Sequence, residues 1–175
     1  MKSYFSEAYA RVKDNLKVSN LHDVPCITQV AVNVGVGKKE PSDRQAIFND
    51  LKLITGQAPQ ERKARQAVAG FKVRQGDLVG YRVTLRGKRM ADFVERFVKI
   101  TLPRVRDFRG IALKAMDGRG NLNVGLSEQM SFPEIRADKT DVLFGLQVTF
   151  VTSAQTNEEG EEIFRALGFP LADKA

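Results

Sequence analysis

Arg82, Thr84 and Arg86 stand two residues apart, alternating with the apolar Val83 and Leu85 after Val79 and Tyr81. Two guanidiniums and a hydroxyl projecting from one side of a strand can bind phosphates, ribose hydroxyls and base edges. Gln29 and Asn33 repeat the pattern among Val30, Val32, Val34 and Val36, and Gln147 and Thr149 repeat it among Leu146, Val148 and Phe150. Aligned in one sheet, the three strands would make a polar, basic platform suited to RNA. The ordinary wet face of an antiparallel sheet has the same periodicity. Tyr81 falls on the apolar side, so no surface aromatic pair for base stacking is evident.

Two further groups of cations lie in irregular segments. Phe71, Lys72, Val73, Arg74, Gln75 and Gly76 belong to a long connection from Ala67 to Asp77, which reads as a mobile arm able to reach phosphates beyond the folded body. A long hairpin connection with incidental charge is the alternative. Arg104, Arg106 and Arg109 follow Pro103, and Arg119 sits in Asp117-Gly118-Arg119-Gly120-Asn121. These arginines can bind phosphate bidentately, or Asp107 and Asp117 can hold them in structural turns. Between Arg62 and Arg119 lie 16 of the 28 Lys and Arg but five of the 21 acidic residues, a net of +11; the remainder, 12 against 16, nets −4. Clustering of this kind suits a polyanionic partner, because each neutralised phosphate releases condensed counterions. A solvated basic face would show the same asymmetry.

No catalytic pattern emerges. His22 lies four residues from Cys26 without a third group to orient a nucleophile and base. Gly35-Val36-Gly37 after a strand lacks the third glycine and the Lys-Ser/Thr of a phosphate loop. The single cysteine cannot form an internal disulfide, and with His22 alone nearby it cannot build a four-ligand zinc site. The sequence thus reads as a non-enzyme with no metal and no cofactor. An enzyme acting on a nucleotide or RNA would need a catalytic motif. A basic protein held on an anionic membrane would need an amphipathic basic helix. Neither is visible.

The elements that position these residues follow from periodicity. Tyr4, Phe5, Ala8, Tyr9, Val12 and Leu16 predict a helix over 3–17. Pro25 opens a strand to about Val36. Ser42 with Gln45 predicts a capping box for a helix carrying Ile47, Phe48, Leu51 and Ile54, stopped by Gly56. A strand spans 78–86, and Met90, Phe93, Val94, Phe97 and Val98 mark a helix ending before Pro103. The segment from Pro103 to Pro133 reads as loops around one short strand near Leu122 to Leu126, and a strand covers Leu146 to Phe150. Thr156 with Glu159 predicts a second capping box for a helix reaching Leu167. This order gives an α+β fold, a largely antiparallel sheet with helices packed on one face and a long basic loop. At 175 residues, 42% of them hydrophobic, one domain spanning 1–175 is expected. No apolar run approaches the roughly 20 residues of a membrane span, and Met1 to Arg11 has no signal-peptide core, so a cytoplasmic protein is expected.

Asn33-Val34-Gly35-Val36-Gly37, Ala69-Gly70-Phe71-Lys72-Val73-Arg74-Gln75-Gly76, Val83-Thr84-Leu85-Arg86-Gly87, Leu102 to Gly110, Asp117 to Asn121 and Phe132-Pro133-Glu134-Ile135 occur together in order. In that combination the chain closely resembles the family of bacterial large-subunit ribosomal protein five, over nearly its whole length. The resemblance implies an α+β fold, no enzymatic activity, and a place in the central protuberance of the large ribosomal subunit. It also implies contacts with 5S ribosomal RNA, 23S ribosomal RNA, P-site transfer RNA and a small-subunit head protein at an intersubunit bridge. Carried onto matching positions, it suggests Asn33, Gln57 and Thr84 as 5S RNA contacts, and the Lys72 to Gly76 arm as the transfer-RNA contact. Arg136-Ala137 replaces a more familiar Asp-Tyr, and Phe144 and Gln147 stand where Arg and Asp are common.

Overall fold

The computed structural model describes residues 2–18, 20–37, 39–136 and 142–172. Helix α1 (Lys2–Leu16) buries Ala8 and Val12, while Tyr4, Phe5, Tyr9 and Leu16 pack half-buried on the same core. The Tyr4 hydroxyl donates to the Leu167 carbonyl, and Asn15 Nδ2 donates to Glu162 Oε2 at 2.9 Å. These bonds fasten α1 to the last helix, α4 (Asn157–Ala166).

Five strands make one sheet: β1 (Ile27–Gly35), β2 (Gln60–Lys63), β3 (Leu78–Leu85), β4 (Leu122–Leu126) and β5 (Leu146–Thr152), in the spatial order β2-β3-β1-β5-β4 with every neighbouring pair antiparallel. β2 was not expected. It is an edge strand whose four residues are all exposed, so it lacks the apolar alternation that marks its neighbours. Val30, Val32, Val34, Val83, Leu85, Val148 and Phe150 point from the sheet into one core with the helices. Phe97 lies at the centre of that core, with ring centroids 5.9, 6.2, 5.3 and 6.5 Å from Phe93, Phe132, Phe150 and Phe169.

Helix boundaries follow local chemistry. α2 (Pro41–Thr55) starts one residue before the expected capping box: Glu40 is the extended N-cap and makes no side-chain cap, and Pro41, its φ preset for a helix, opens the first turn. Ser42 is therefore already inside the helix. Gly56 ends it in the left-handed region at φ 67°, its N–H donating to Lys52 O. α3 (Gly87–Arg96) does not stop before Pro103. It passes through a π turn (Phe97–Thr101) into a last helical turn, Leu102–Arg104, with the Leu102 N–H reaching back five residues to Phe97 O. One wider turn relieves the ladder where Pro103 has no N–H and its ring would crowd the preceding turn. At α4 the expected cap forms: Thr156 Oγ1 accepts from the Glu159 N–H at 3.3 Å, while the Glu159 carboxylate takes the Gln155 N–H at 2.9 Å instead of that of Thr156.

Candidate nucleic-acid interface

The register of the sheet brings the polar positions into rows. One row runs Gln60, Arg82, Asn33, Gln147, Gly125 across all five strands. The next runs Thr84, Ala31, Thr149, Asn123 from β3 to β4. Alternation along each strand predicts which residues share a face; pairing adds that Asn33 lies directly between Arg82 and Gln147. None of the paired strand residues on this face is Asp or Glu.

Part of the face is braced internally. Thr149 Oγ1 donates to Asn123 Oδ1 at 2.7 Å, and the Arg86 guanidinium, just beyond β3, donates to Gln29 Oε1. Gln57, carried by the turn after α2, donates from Nε2 to the Thr84 carbonyl at 3.3 Å and accepts from Arg89 at 3.5 Å. Gln57 and Thr84 are thus neighbours, and Arg89 joins them without having been singled out in the sequence. Other groups are left open. Among the described residues the Asn33 amide and the Thr84 hydroxyl have no hydrogen-bond partner, and the Arg82 Nε is buried without one. A buried donor without an acceptor is costly.

The arm is the connection of the β2–β3 hairpin. Ala64 N donates to Asp77 O at 2.8 Å, and Val68 and Val73 exchange backbone bonds of 2.9 and 3.3 Å. A 3-10 turn (Ala69–Phe71) and Lys72 at φ 52° close the tip, and the Asp77 carboxylate accepts the Arg74 N–H at 2.7 Å. Phe71 is left 73% exposed. It lines a cleft of about 370 Å³ with Lys72, Val73, Gly37 and Arg44, so the arm leans toward the β1–α2 connection. Lys72, Arg74, Gln75 and Gly76 are exposed.

The four remaining arginines are not brought to the sheet face as a group. Arg104 and Arg106 line a second cleft of about 370 Å³ with Leu126, Ser127 and Ser131. Arg109 precedes a bridge from Ile111 to Leu171. Arg119 occupies a turn seated on α4: a Cβ on Gly120 would fall 2.7 Å from the Thr156 carbonyl oxygen, and one on Gly160 2.6 Å from the Gly120 Cα. Asp117 holds this turn, accepting from the Arg119 and Asn121 N–H groups and from Asn121 Nδ2 at 2.7 Å. Burial raises its pKa, but these hydrogen bonds prevail and hold it below the usual carboxylate range. The bonds go to backbone and amide, and among the described residues the Arg119 guanidinium has no hydrogen-bond partner. Among the described residues none of the four arginines has a carboxylate within 4.0 Å. Arg136 is exposed; Ala137 lies outside the described residues.

No hydrogen bond among the described residues joins the His22 ring to Cys26, whose N–H donates to Ser153 Oγ at 3.0 Å. No group of three or more His, Cys, Asp or Glu among the described residues is placed to hold a metal ion. No described helix is long and apolar enough to cross a membrane.

The chain is an α+β protein, and the paired strand residues on one face of its sheet include arginine but no Asp or Glu. Comparison with known proteins gives the family: the ribosomal protein L5 profile matches residues 20–74, and the profile of the same ribosomal family's C-terminus matches residues 78–171. A large ribosomal subunit protein uL5 from Halothermothrix orenii is 44% identical over 172 residues, covering 97% of this chain and 96% of the relative. Its counterpart from Carboxydothermus hydrogenoformans is 46% identical over 171 residues (97% and 96%), and that from Synechococcus sp. 48% over 159 residues (90% and 89%). The chain belongs to the ribosomal protein L5 family, a structural and non-enzymatic family of the large ribosomal subunit.

Proposed function

We propose that within the large subunit this chain binds 5S ribosomal RNA through the polar face of its sheet and helps attach that RNA in the central protuberance. One observation carries the reading: Asn33, Arg82 and Thr84, with Arg86 bonded to Gln29 beside them, share a face whose paired strand residues include no carboxylate, and among the described residues the Asn33 amide and the Thr84 hydroxyl have no hydrogen-bond partner. Amide and hydroxyl groups suit ribose and base edges, and guanidiniums suit phosphates. Gln57 belongs to the same site, because it is bonded to the Thr84 carbonyl. The arm with Phe71 to Gly76 contacts P-site transfer RNA. Arg104, Arg106, Arg109 and Arg119 serve 23S ribosomal RNA or the bridge to a small-subunit head protein.

The deciding experiment titrates the full-length protein against 5S RNA over a range of salt. Replacing Arg82 and Arg86 together with Ala weakens binding and makes the plot of log affinity against log salt shallower by up to about one unit per lost phosphate contact. A folded double variant with unchanged affinity and slope would remove the sheet face from the RNA site.

A further inference from the structure

Strand β2 has no apolar residue, yet its register sets two of its side chains beside the polar face. Gln60 pairs with Arg82, and Arg62 pairs with Gly80, so both project on the side that carries Asn33 and Gln147. Glu61, the strand's one carboxylate, pairs with Tyr81, a core residue 5% exposed, and projects on the helix side. Pleating thus puts Arg62 on one face and Glu61 on the other, while Lys63, the strand's second cation, pairs with Leu78 past a register shift. Among the described residues Arg62 has no carboxylate within 4.0 Å.

Beside Arg62 the face is bare backbone. Arg62, Gly80 and Gly35 follow one another across β2, β3 and β1. Gly80 has a reason inside the chain, since a Cβ there would lie 2.6 Å from the Val34 carbonyl oxygen. Gly35 has none: an added Cβ would meet nothing within 4 Å, and its φ is not left-handed. Glycine within a strand is less stable than alanine, and it is found at bulges, at tight bends and where a ligand or another backbone comes close; no register shift falls at Gly35 in its pairing with β3.

We infer that Arg62 and Gln60 extend the RNA surface onto β2 as a seat for the sugar–phosphate backbone. The Arg62 guanidinium meets a phosphate, the Gln60 amide meets a ribose or phosphate oxygen of the same strand, and the Gly35–Gly80 floor lets that strand lie close. The seat rests on the sheet-face reading above and adds to it an edge strand that neither periodicity nor resemblance marks.

The test measures 5S RNA affinity against salt for the full chain, for Arg62→Ala, for Arg62→Lys and for the Arg82→Ala/Arg86→Ala double variant. Arg62→Ala is expected to bind about tenfold more weakly, as for a lost hydrogen bond to a charged group. Its salt slope should be shallower by about 0.7 to 0.9, the release from one phosphate. Arg62→Lys should keep the slope, and the thermal midpoint should not move in either variant because the side chain is exposed. If the double variant binds weakly while Arg62→Ala retains wild-type affinity and slope, the sheet face stands and the seat is overturned. Weaker binding at an unchanged slope overturns it too, since no phosphate contact would have been lost. If the double variant itself binds like the wild type, the sheet-face reading fails and takes the seat with it.

Discussion

Asn33 and Arg82 are cross-strand partners with different parts to play. The arginine neutralises charge, so its loss shows in both affinity and salt dependence. The amide of Asn33 carries no charge and releases no counterion; its use is to fix where a ribose or base edge lies. The Thr84 hydroxyl is of the same kind, and Gln57 steadies its peptide group by bonding the carbonyl. Asn33→Ala and Thr84→Ala should therefore each weaken 5S RNA binding by about 1 kcal/mol, the net worth of a typical hydrogen bond and roughly fivefold in affinity. The slope against salt should equal that of the wild type in both. A slope change as large as that from removing an arginine would show that these side chains act through phosphate after all, and the division between charge and geometry would be wrong.

Among the elements, the arm and the sheet separate cleanly. The arm's own bonds, Val68 with Val73 and Ala64 with Asp77, close it upon itself, and Val68 and Phe71 are exposed rather than packed. Replacing residues 69–72 with a two-residue turn keeps the Ala64–Asp77 closure, and the loop-closure cost of such a change is small. The variant should fold with an unchanged thermal midpoint and capture 5S RNA as before, while ribosomes carrying it release P-site transfer RNA faster. Loss of 5S RNA binding with normal transfer-RNA retention would transfer the arm to the 5S site. This hairpin also marks the limit of what the sequence discloses. β1, β3 and β5 are legible because each alternates one buried face with one polar face. β2 is not, because Gln60 to Lys63 are polar in both phases on an exposed edge. Pro103 signals a helix stop, but a helix can also pass a proline through one wider turn, and periodicity does not distinguish the two outcomes. The candidate site divides in the same way: alternation finds Asn33, Arg82 and Thr84, but the register that makes Asn33 and Arg82 neighbours and brings Arg62 beside them is a tertiary fact. Gln57 follows no period, and family resemblance alone suggests it.

On the scale of the whole molecule, the two segments matched by the family profiles, 20–74 and 78–171, meet in the arm, and neither contains a complete sheet. β1 comes from the first segment and lies at the centre, paired with β3 on one side and β5 on the other, both from the second. β2 pairs with β3 alone. Residues 1–74 by themselves would hold two strands that are not neighbours, with Val30 and Val32, 0% exposed in the intact chain, turned out to water. Residues 75–175 would hold β3 apart from the β5–β4 pair, with two rows of backbone groups unpaired where β1 should lie, a state exposed sheet edges make prone to association. Neither piece is expected to unfold cooperatively in urea when prepared alone. The intact chain cut once in the arm, between Gly70 and Phe71, should behave otherwise. Every strand pair survives that cut, so the two pieces should stay together, unfold in one transition and bind 5S RNA with wild-type affinity. Circular dichroism against urea, followed by RNA titration of the cut protein, distinguishes the cases. If residues 75–175 alone gave a cooperative transition close to that of the intact chain, the central strand would be dispensable to the fold, and the dependence of the RNA face on both segments would have to be abandoned.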